Sequence, residues 1–174
     1  MLFRSGVVLQ LPLPTQIDID RLLNLVPSSK DVDGLTQNSP YASPTPTGII
    51  KLLGANNIDL SSKRTVIIGA GRLVGMPLSK IFKENNWPHQ LITRDAEKRV
   101  AEISDNDILI SCTGVENLVS ERMVRPEMVV VDGSGVDVDV KTIEPLVSKI
   151  TPTKGAVGPL TVCYLFQNLL KSAS

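Results

Sequence analysis

Three glycines with a defined spacing lie between an apolar run and an amphipathic segment. The run Val66–Ile68 is followed by Gly69, Gly71 and Gly75. Glycines at the first two positions let the backbone turn tightly and approach a pyrophosphate, and the third lets a helix pack close to its strand. A turn that needs glycine only for steric reasons would show similar residues. Because a strand precedes and a helix follows, the order favours a dinucleotide site at the helix N-terminus.

The residues after the next strand bear on which nucleotide would bind. An acidic residue there bonds the ribose 2′-hydroxyl of NAD, whereas an arginine accommodates the 2′-phosphate of NADP. The sequence offers Thr93, Arg94 and Asp95. This order favours NADP, with Asp95 capping the next helix, although NAD remains possible and Arg94 could be an ordinary surface arginine.

Small residues follow two later apolar runs, at Cys112–Gly114 and at Asp132–Gly135. The carboxyl ends of parallel strands share one edge of a sheet, so these residues would line the same crevice. They would let the nicotinamide half lie flat, although simple turns would show the same residue types. The residues predicted to contact the nucleotide are Gly69, Ala70, Gly71, Arg72, Thr93, Arg94, Thr113, Gly114 and Gly135.

Strand and helix patterns alternate through this part of the chain. Strands are predicted after Val66–Ile68 at Gln90–Thr93, Asp107–Cys112, Met128–Asp132 and Lys149–Thr151. Helices are predicted at Met76–Phe82, Ala96–Ile103, Val140–Val147 and Leu160–Leu170, with a helical turn at Ser120–Val124. Alternation of this kind implies right-handed crossovers. The predicted fold class is α/β, a Rossmann-like doubly wound parallel sheet with a partial second domain.

The first part of the chain has a different pattern. An apolar strand is predicted at Gly6–Gln10, a short helix at Asp18–Val26, and a helix with Thr45 as N-cap, Pro46 at its first position and Gly54 as its stop. A strand that comes first without partners suggests that sequence is missing upstream. On that hypothesis Met1–Ser5 is foreign to the gene.

Composition excludes several classes of function. Eighteen basic and eighteen acidic residues cancel, which argues against nucleic acid and against an anionic membrane as partners. The two cysteines, Cys112 and Cys163, form no metal-binding pattern and fit a reduced, cytoplasmic setting. The single histidine, His89, is expected to be exposed in a surface loop, so no metal site is predicted.

Several stretches together resemble one family, the bifunctional methylenetetrahydrofolate dehydrogenase/methenyltetrahydrofolate cyclohydrolase enzymes. They occur in the family's order and cover nearly all of this chain, but only the later part of the family's length. The matching stretches are Gln10–Pro14, Lys30–Gly34, Pro44–Gly48, Gly69–Pro77, Thr113–Gly114 and Ile150–Thr161.

The resemblance implies a two-domain enzyme that oxidises 5,10-methylenetetrahydrofolate with NADP, and it implies that this sequence lacks the N-terminal part of that enzyme. Hydrolysis of the product then gives 10-formyltetrahydrofolate. By the same resemblance Gln10 orients a catalytic lysine, Asp33 grips the pterin ring, and Leu11 and Gly158-Pro159 line the folate site. It also suggests a homodimer through the Rossmann domain. Without the resemblance, an Asx-turn would be the simpler explanation of Asp31 and Asp33.

The departures from the family are informative. The family's Tyr-x-x-x-Lys, which supplies the acid–base lysine, is absent from the printed sequence, because Thr45 follows Tyr41 and Asn168 follows Tyr164 at that spacing. The family's Arg-Ser in the glycine turn is replaced by Ala70-Gly71. We therefore expect this chain to bind dinucleotide but to turn over little substrate.

The predicted boundaries assign residues 1–44 to a remnant of the catalytic domain, 45–158 to the NAD(P)-binding Rossmann domain, and 159–174 to a helix that returns to the catalytic domain. Two other functions fit parts of the sequence. The first is a shikimate-dehydrogenase-like NADP oxidoreductase, which gives no role to Gln10–Pro14. The second is a nucleotide-sensing Rossmann module without catalysis, which would bind no folate.

Overall fold

A parallel five-stranded sheet organises the chain in the computed structural model, which describes residues 6–173. The strands are β1 (Thr65–Ile68), β2 (His89–Ile92), β3 (Ile108–Ser111), β4 (Val129–Asp132) and β5 (Lys149–Ile150). Their order in the sheet is β2-β1-β3-β4-β5, and every pair is parallel. This confirms the predicted doubly wound parallel sheet.

Helices cover both faces of the sheet. They are α1 (Ile19–Leu23), α2 (Pro44–Ala55), α3 (Gly75–Glu84), α4 (Val100–Ser104), α5 (Val140–Ile143) and α6 (Val157–Ala173). Every residue of β1, β3 and β4 is buried, as expected for strands covered on both sides. Ile67 packs with α2, α3 and α6 on one face, whereas Val66 and Ile68 pack with α4 and α5 on the other.

Two predicted helices are divided in the structure. The Ala96–Ile103 segment begins as a 3₁₀ turn at Ala96–Lys98 and becomes α4 only at Val100. Helix α5 ends at Ile143 and a 3₁₀ turn follows at Glu144–Leu146. Pro145 has no backbone N–H to continue an α-helix, which accounts for the second division.

The start of α2 also differs from the prediction. The helix begins at Pro44 rather than after Thr45, and its N-cap, Ser43, makes no capping hydrogen bond with its side chain. Prolines at 44 and 46 fit the first turn, because backbone N–H groups there have no intrahelical partner anyway. Gly54 does not stop the helix, which continues to Ala55 with Asn56 as C-cap.

The predicted strand at Gly6–Gln10 is wrong for the residues described. Only Val7 pairs, through an isolated parallel bridge to Asp31, with its N–H donating to the carbonyl of Lys30 at 2.6 Å. A longer ladder needs a neighbouring strand, and the 31–43 segment that lies beside it is a loop. The interpretation of Met1–Ser5 concerns residues outside the described part.

A buried asparagine joins α6 to the 31–43 loop. Asn168 is 5% exposed, and its Nδ2 donates to the carbonyl oxygens of Val32 at 2.9 Å and Ala42 at 2.8 Å. Helix α6 also packs along α2, where a Cβ on Gly48 would lie 3.0 Å from Leu160 Cβ. The loop is therefore held by a helix that the sequence places more than a hundred residues later.

His89 is not in an exposed loop, contrary to the prediction. It is the first residue of β2 and is partly buried, with Nε2 2.9 Å from Ser79 Oγ and its ring centroid 5.5 Å from that of Phe82. Its contacts are those of a structural side chain. Among residues 6–173, no helix has the length and apolar character needed to cross a membrane.

Candidate functional site

The sheet order creates a crevice at the carboxyl ends of β1 and β3. The chain leaves β1 toward β2 on one side and resumes at β3 on the other, which is the topological switch point where doubly wound folds bind ligands. The turns that follow the strands there are Gly69–Gly75 after β1, Thr93–Asp95 after β2, Cys112–Gly114 after β3 and Gly133–Gly135 after β4.

Not every glycine of the glycine turn, Gly69–Gly75, is required by packing within the protein. Gly69 has φ +97°, and a Cβ there would lie 2.8 Å from the Cys112 carbonyl oxygen, while a Cβ on Gly75 would overlap the carbonyl oxygen of Gly69. Internal packing therefore requires both. A Cβ on Gly71 would meet only the Cys112 oxygen, 4.0 Å away, and the backbone there is not left-handed. Nothing within the described protein requires glycine at 71.

The same turn has unused hydrogen-bond donors. Within residues 6–173, the backbone N–H groups of Ala70, Gly71 and Arg72 donate to no other group. Helix α3 begins three residues after Arg72, at Gly75, so the positive end of its dipole lies close to these donors. Free N–H groups and open space above Gly71 fit the pyrophosphate of a dinucleotide.

Arg72, which the sequence predicts to contact the nucleotide, points its side chain at α1. Its Nη1 lies 2.6 Å from Asp20 Oδ1, and both side chains are exposed. The hydrogen bond from Arg72 and its charge hold the pKa of Asp20 below the ordinary value. Exposed pairs of this kind contribute little to stability. The pair nevertheless brings α1 to the edge of the glycine turn.

At the end of β2, Thr93, Arg94 and Asp95 are all exposed. Asp95 has φ +53° and occupies the N-cap position, but its side chain makes no capping bond and instead pairs with Lys98 at 3.1 Å. The predicted cap is therefore wrong in detail. Arg94 forms no ion pair within the described residues. Its guanidinium is available for an anion at this end of the crevice.

The turns after β3 and β4 present bare backbone. Gly114 and Gly135 have φ +74° and +83°, and a Cβ on either would meet no atom within 4 Å. Beneath them lies the partly buried Cys112, and burial raises the pKa of its thiol to about 12, so it stays protonated at neutral pH. This thiol is a packing group rather than a nucleophile.

Two buried aspartates below these turns were missed in the sequence. Asp132, at the end of β4, is 7% exposed, and Asp137 in the following crossover is 0% exposed. Both accept several hydrogen bonds from the turns that follow β3 and β4. Their sequence signal was an acidic residue next to valine, after the run Val129–Val131 for Asp132 and between Val136 and Val138 for Asp137. Charged residues are almost never fully buried unless paired, so this signal was available.

The two aspartates of the 31–43 loop differ in their burial and hydrogen bonding. Asp31 is 3% exposed, and its Oδ2 accepts the N–H of Thr36 at 2.7 Å, which is the loop-forming role of an Asx residue. Asp33 is partly buried and forms no hydrogen bond within the described residues. Burial, and next the charge of Asp31, raise the pKa of Asp33 above its ordinary value. The turn explanation therefore fits Asp31 and leaves Asp33 without a partner.

A cavity of about 620 Å³ lies between this loop and the glycine turn. Gly34, Tyr41 and Ser43 line one side, and the other side includes Ala70 and Arg72. Thus the residue next to Asp33 and the glycine turn face one space. The lining includes neither Asp33 itself nor the other predicted folate residues, which are Gln10, Leu11, Gly158 and Pro159.

Those four residues occupy two separate segments. Gln10 is exposed, and its Nε2 donates to the carbonyl of the adjacent Leu11 at 3.0 Å. Gly158 and Pro159 are exposed in the first turn of α6. Across residues 6–173, no three His, Cys, Asp or Glu side chains are grouped as metal ligands.

Comparison with protein families matches residues 43–174 to the profile described as "Tetrahydrofolate dehydrogenase/cyclohydrolase, NAD(P)-binding domain". The chain is 39% identical to the bifunctional protein FolD of Acholeplasma laidlawii, with 94% of this chain aligned. The alignment spans 65% of that relative's length.

Solved structures show the same similarity. The bifunctional FolD enzyme of Campylobacter jejuni superposes with a TM-score of 0.87 at 34% identity, over 97% of this chain and 67% of that one. The Trypanosoma brucei FolD structure, complexed with NADP cofactor and inhibitor, has a TM-score of 0.89 at 23% identity over 97% and 66% of the two chains. A shikimate 5-dehydrogenase from Listeria monocytogenes reaches 0.51 at 19% identity over 74% and 58%, a likeness of fold alone.

Proposed function

This chain belongs to the tetrahydrofolate dehydrogenase/cyclohydrolase family, and on that premise we propose that it contributes the nucleotide side of an NADP-dependent methylenetetrahydrofolate dehydrogenase/methenyltetrahydrofolate cyclohydrolase. The observation that carries the proposal is the set of free backbone N–H donors at Ala70–Arg72, beside a cavity whose opposite wall includes Gly34. Asp33, the residue before Gly34, forms no hydrogen bond within the described residues.

On the nucleotide side, the free N–H groups of Ala70 and Gly71 would bind the pyrophosphate, and Arg94 would pair with the 2′-phosphate. Bound NADP supplies the acceptor for a hydride. The glycine at 71 keeps side-chain atoms out of the path of the phosphates. Thr113, Gly114 and Gly135 would present a flat backbone surface to the other half of the nucleotide.

On the folate side, Asp33 would accept paired N–H donors from the pterin ring. Because no group among residues 6–173 donates to it, both carboxylate oxygens are available for this. Gln10 can donate and accept at once, and it would orient a neighbouring acid–base group. The substrate's methylene carbon would then face the nucleotide across the cavity, and water would open the oxidised product to the 10-formyl compound.

The remaining parts of the proposal follow from the family. Residues 1–44 would belong to the catalytic domain, 45–158 to the Rossmann domain, and 159–174 to a helix that returns to the catalytic domain. We further propose a homodimer and a cytoplasmic location, the latter in keeping with two free cysteines.

Separate titrations test the function. NADP and a folate analogue would be titrated separately into the purified chain by calorimetry. We expect the chain to bind each of them. Binding of NADP without any folate binding would favour the nucleotide-sensing module. Binding of shikimate instead of the folate analogue would favour the shikimate-dehydrogenase-like reading.

Arg94→Ala is expected to weaken NADP binding at least about tenfold while changing NAD binding by less than about twofold. The reason is that the guanidinium would contact only the phosphate that distinguishes the two nucleotides. Calorimetric titration of both nucleotides measures the difference. Arg122→Ala is the matched control, because Arg122 is also exposed and unpaired among the described residues. Equal losses for NAD and NADP would contradict the assignment.

Asp33→Asn is expected to abolish most binding of the folate analogue, by about tenfold or more, without lowering stability at neutral pH. The raised pKa means that folded protein holds this proton more tightly than unfolded protein, so ionising Asp33 opposes folding. Ionisation of Asp33 therefore lowers the free energy of unfolding as the pH rises from the ordinary aspartate pKa through the raised pKa of the folded protein. Asparagine removes that dependence.

Urea unfolding at acidic and neutral pH measures the stability difference, alongside the control Glu116→Gln, because Glu116 is exposed and forms no ion pair among the described residues. If Asp33→Asn bound the folate analogue as tightly as the unchanged chain, the pterin role of Asp33 would be wrong.

A further inference from the structure

Asp137 is a buried carboxylate in a segment without regular structure. It lies between β4 and α5, two residues before the α5 N-cap Asp139, and is 0% exposed. Burying a charge is unfavourable unless it is fully hydrogen-bonded. No Lys or Arg pairs with it in the described part of the chain. The compensation must come from neutral donors.

Five hydrogen bonds provide it. Oδ2 accepts from Ser111 Oγ at 2.5 Å, from Thr113 N at 2.7 Å and from Thr113 Oγ1 at 2.8 Å. Oδ1 accepts from Gly114 N at 2.8 Å and lies 2.5 Å from Ser134 Oγ. Burial alone would raise the pKa of Asp137, but these hydrogen bonds outweigh it and lower the pKa, so the group is a carboxylate at neutral pH.

One donor, Ser111, is the last residue of β3, and the others come from two separate turns. These turns, Thr113–Gly114 after β3 and Ser134–Gly135 after β4, are called the β3–β4 platform. Asp132 completes it from the other side, because its Oδ1 accepts the N–H groups of Ser134 at 3.0 Å and Gly135 at 2.7 Å. The four backbone N–H groups of the platform therefore all point down at two carboxylates.

This arrangement differs from the glycine turn. There the N–H groups are free and suit phosphate, whereas the platform has none left for an anion. Its upper surface consists of Gly114 and Gly135, with open space where side chains would be. It also adjoins the glycine turn, since a Cβ on Gly69 would lie 3.0 Å from Thr113 Cγ2. A flat group that carries no phosphate fits such a surface, next to the pyrophosphate.

Sheet order indicates which half of the nucleotide that is. With the pyrophosphate at β1 and the 2′-phosphate of the adenosine half at Arg94 after β2, the other half must extend over β3 and β4. We propose that Asp137 is a positioning residue that fixes the β3–β4 platform under the nicotinamide half of NADP. The proposal rests on the proposed NADP binding. Asp137 does not touch the nucleotide, and it acts through the two turns that it joins.

Asp137→Asn disrupts this arrangement while keeping the side chain nearly the same size. One carboxylate oxygen becomes an NH₂ group, which must then face a backbone N–H, of Thr113 or of Gly114, that it cannot accept. Asp139→Asn is the matched control in the same crossover. Asp139 is exposed and accepts from Lys141 N, and asparagine caps a helix as well as aspartate does.

Two ligands separate positioning from general damage to the fold. NADP carries both halves, whereas adenosine 2′,5′-bisphosphate carries only the adenosine half with its 2′-phosphate. We expect Asp137→Asn to bind NADP at least about tenfold more weakly and the bisphosphate within about twofold of the unchanged chain, by calorimetry. Asp139→Asn should bind both ligands within about twofold.

Unchanged NADP affinity in Asp137→Asn would overturn the proposal, as would an equal loss of both ligands, which indicates only a structural role. If Asp137→Asn does not fold, Ser134→Ala removes one hydroxyl from the network and should weaken NADP about threefold with no effect on the bisphosphate. Unchanged NADP binding in Ser134→Ala would then overturn it. An unchanged chain that binds neither ligand would overturn the proposed function itself, before any variant is compared.

Discussion

Gly75→Ala is expected to lower the free energy of unfolding by about 3 kcal/mol or more, whereas Gly71→Ala leaves it within about 1 kcal/mol. The two glycines lie in one turn, but a Cβ on Gly75 would overlap the carbonyl oxygen of Gly69, and a Cβ on Gly71 would meet only one atom, at 4.0 Å. Backbone on both sides of the Gly75 contact cannot rotate away as a side chain could. The start of α3 would have to move off β1.

For nucleotide binding, the informative substitution is Gly71→Ala rather than Gly75→Ala. Gly71→Ala should fold normally and bind NADP about tenfold or more weakly, because its methyl group would occupy the approach of the pyrophosphate. Urea unfolding gives the stability of both variants, and calorimetry gives the affinity of the one that folds. Gly54→Ala, at an exposed site with open space, is the control.

Two results would contradict this account of the turn. A stable Gly75→Ala variant would mean that α3 can shift without loss of packing. Tight NADP binding by Gly71→Ala would mean that the phosphates do not pass over that residue. The second result would remove the main structural support for a nucleotide at Gly69–Gly75.

The purified 174-residue chain is expected to oxidise 5,10-methylenetetrahydrofolate about 10²–10⁴-fold more slowly than a relative that carries the family's acid–base lysine. That factor is what general acid–base catalysis typically contributes, and the printed sequence has no Tyr-x-x-x-Lys. NADP binding should survive, because the glycine turn and the sheet below it are intact.

The Campylobacter jejuni enzyme is a suitable reference, because it matches 97% of this chain at 34% identity. Both proteins would be assayed for NADPH formation at saturating NADP, with nucleotide affinity measured in parallel. Turnover within about tenfold of the reference would show that a group inside these 174 residues serves as the acid or base. Loss of both turnover and NADP binding would instead point to misfolding.

The sheet could be predicted because its strands are covered on both faces. Strands of this kind appear as continuous apolar runs, and each of β1, β3 and β4 lies within one residue of its predicted limits. The glycine turn could be predicted because its order, strand then glycines then helix, is local in sequence. Its internal division, with packing at Gly69 and Gly75 and open space at Gly71, depends on the position of Cys112 and needed the structure.

The features that could not be predicted are contacts between distant segments. The predicted first strand failed because strand formation depends on a partner, and Val7 has only a bridge to Asp31. The Arg72–Asp20 pair joins residues that no periodicity relates. Asp137 gave a signal, an acid among valines, but its donors lie on two other turns, so its role was not visible along the chain.

The bonds from Asn168 to Val32 and Ala42 also set an order of events during synthesis. The ribosome completes the 31–43 loop long before it adds Asn168, which follows Ala42 by 126 residues. Until then the two carbonyl groups lack this donor, whereas the strands β1 to β5 have already been made. Contacts so far apart in sequence form late, because a long stretch of chain must first be ordered. A nascent chain would thus acquire its nucleotide-binding sheet first, and the aspartate loop would be secured only after the α6 residue Asn168 has been added.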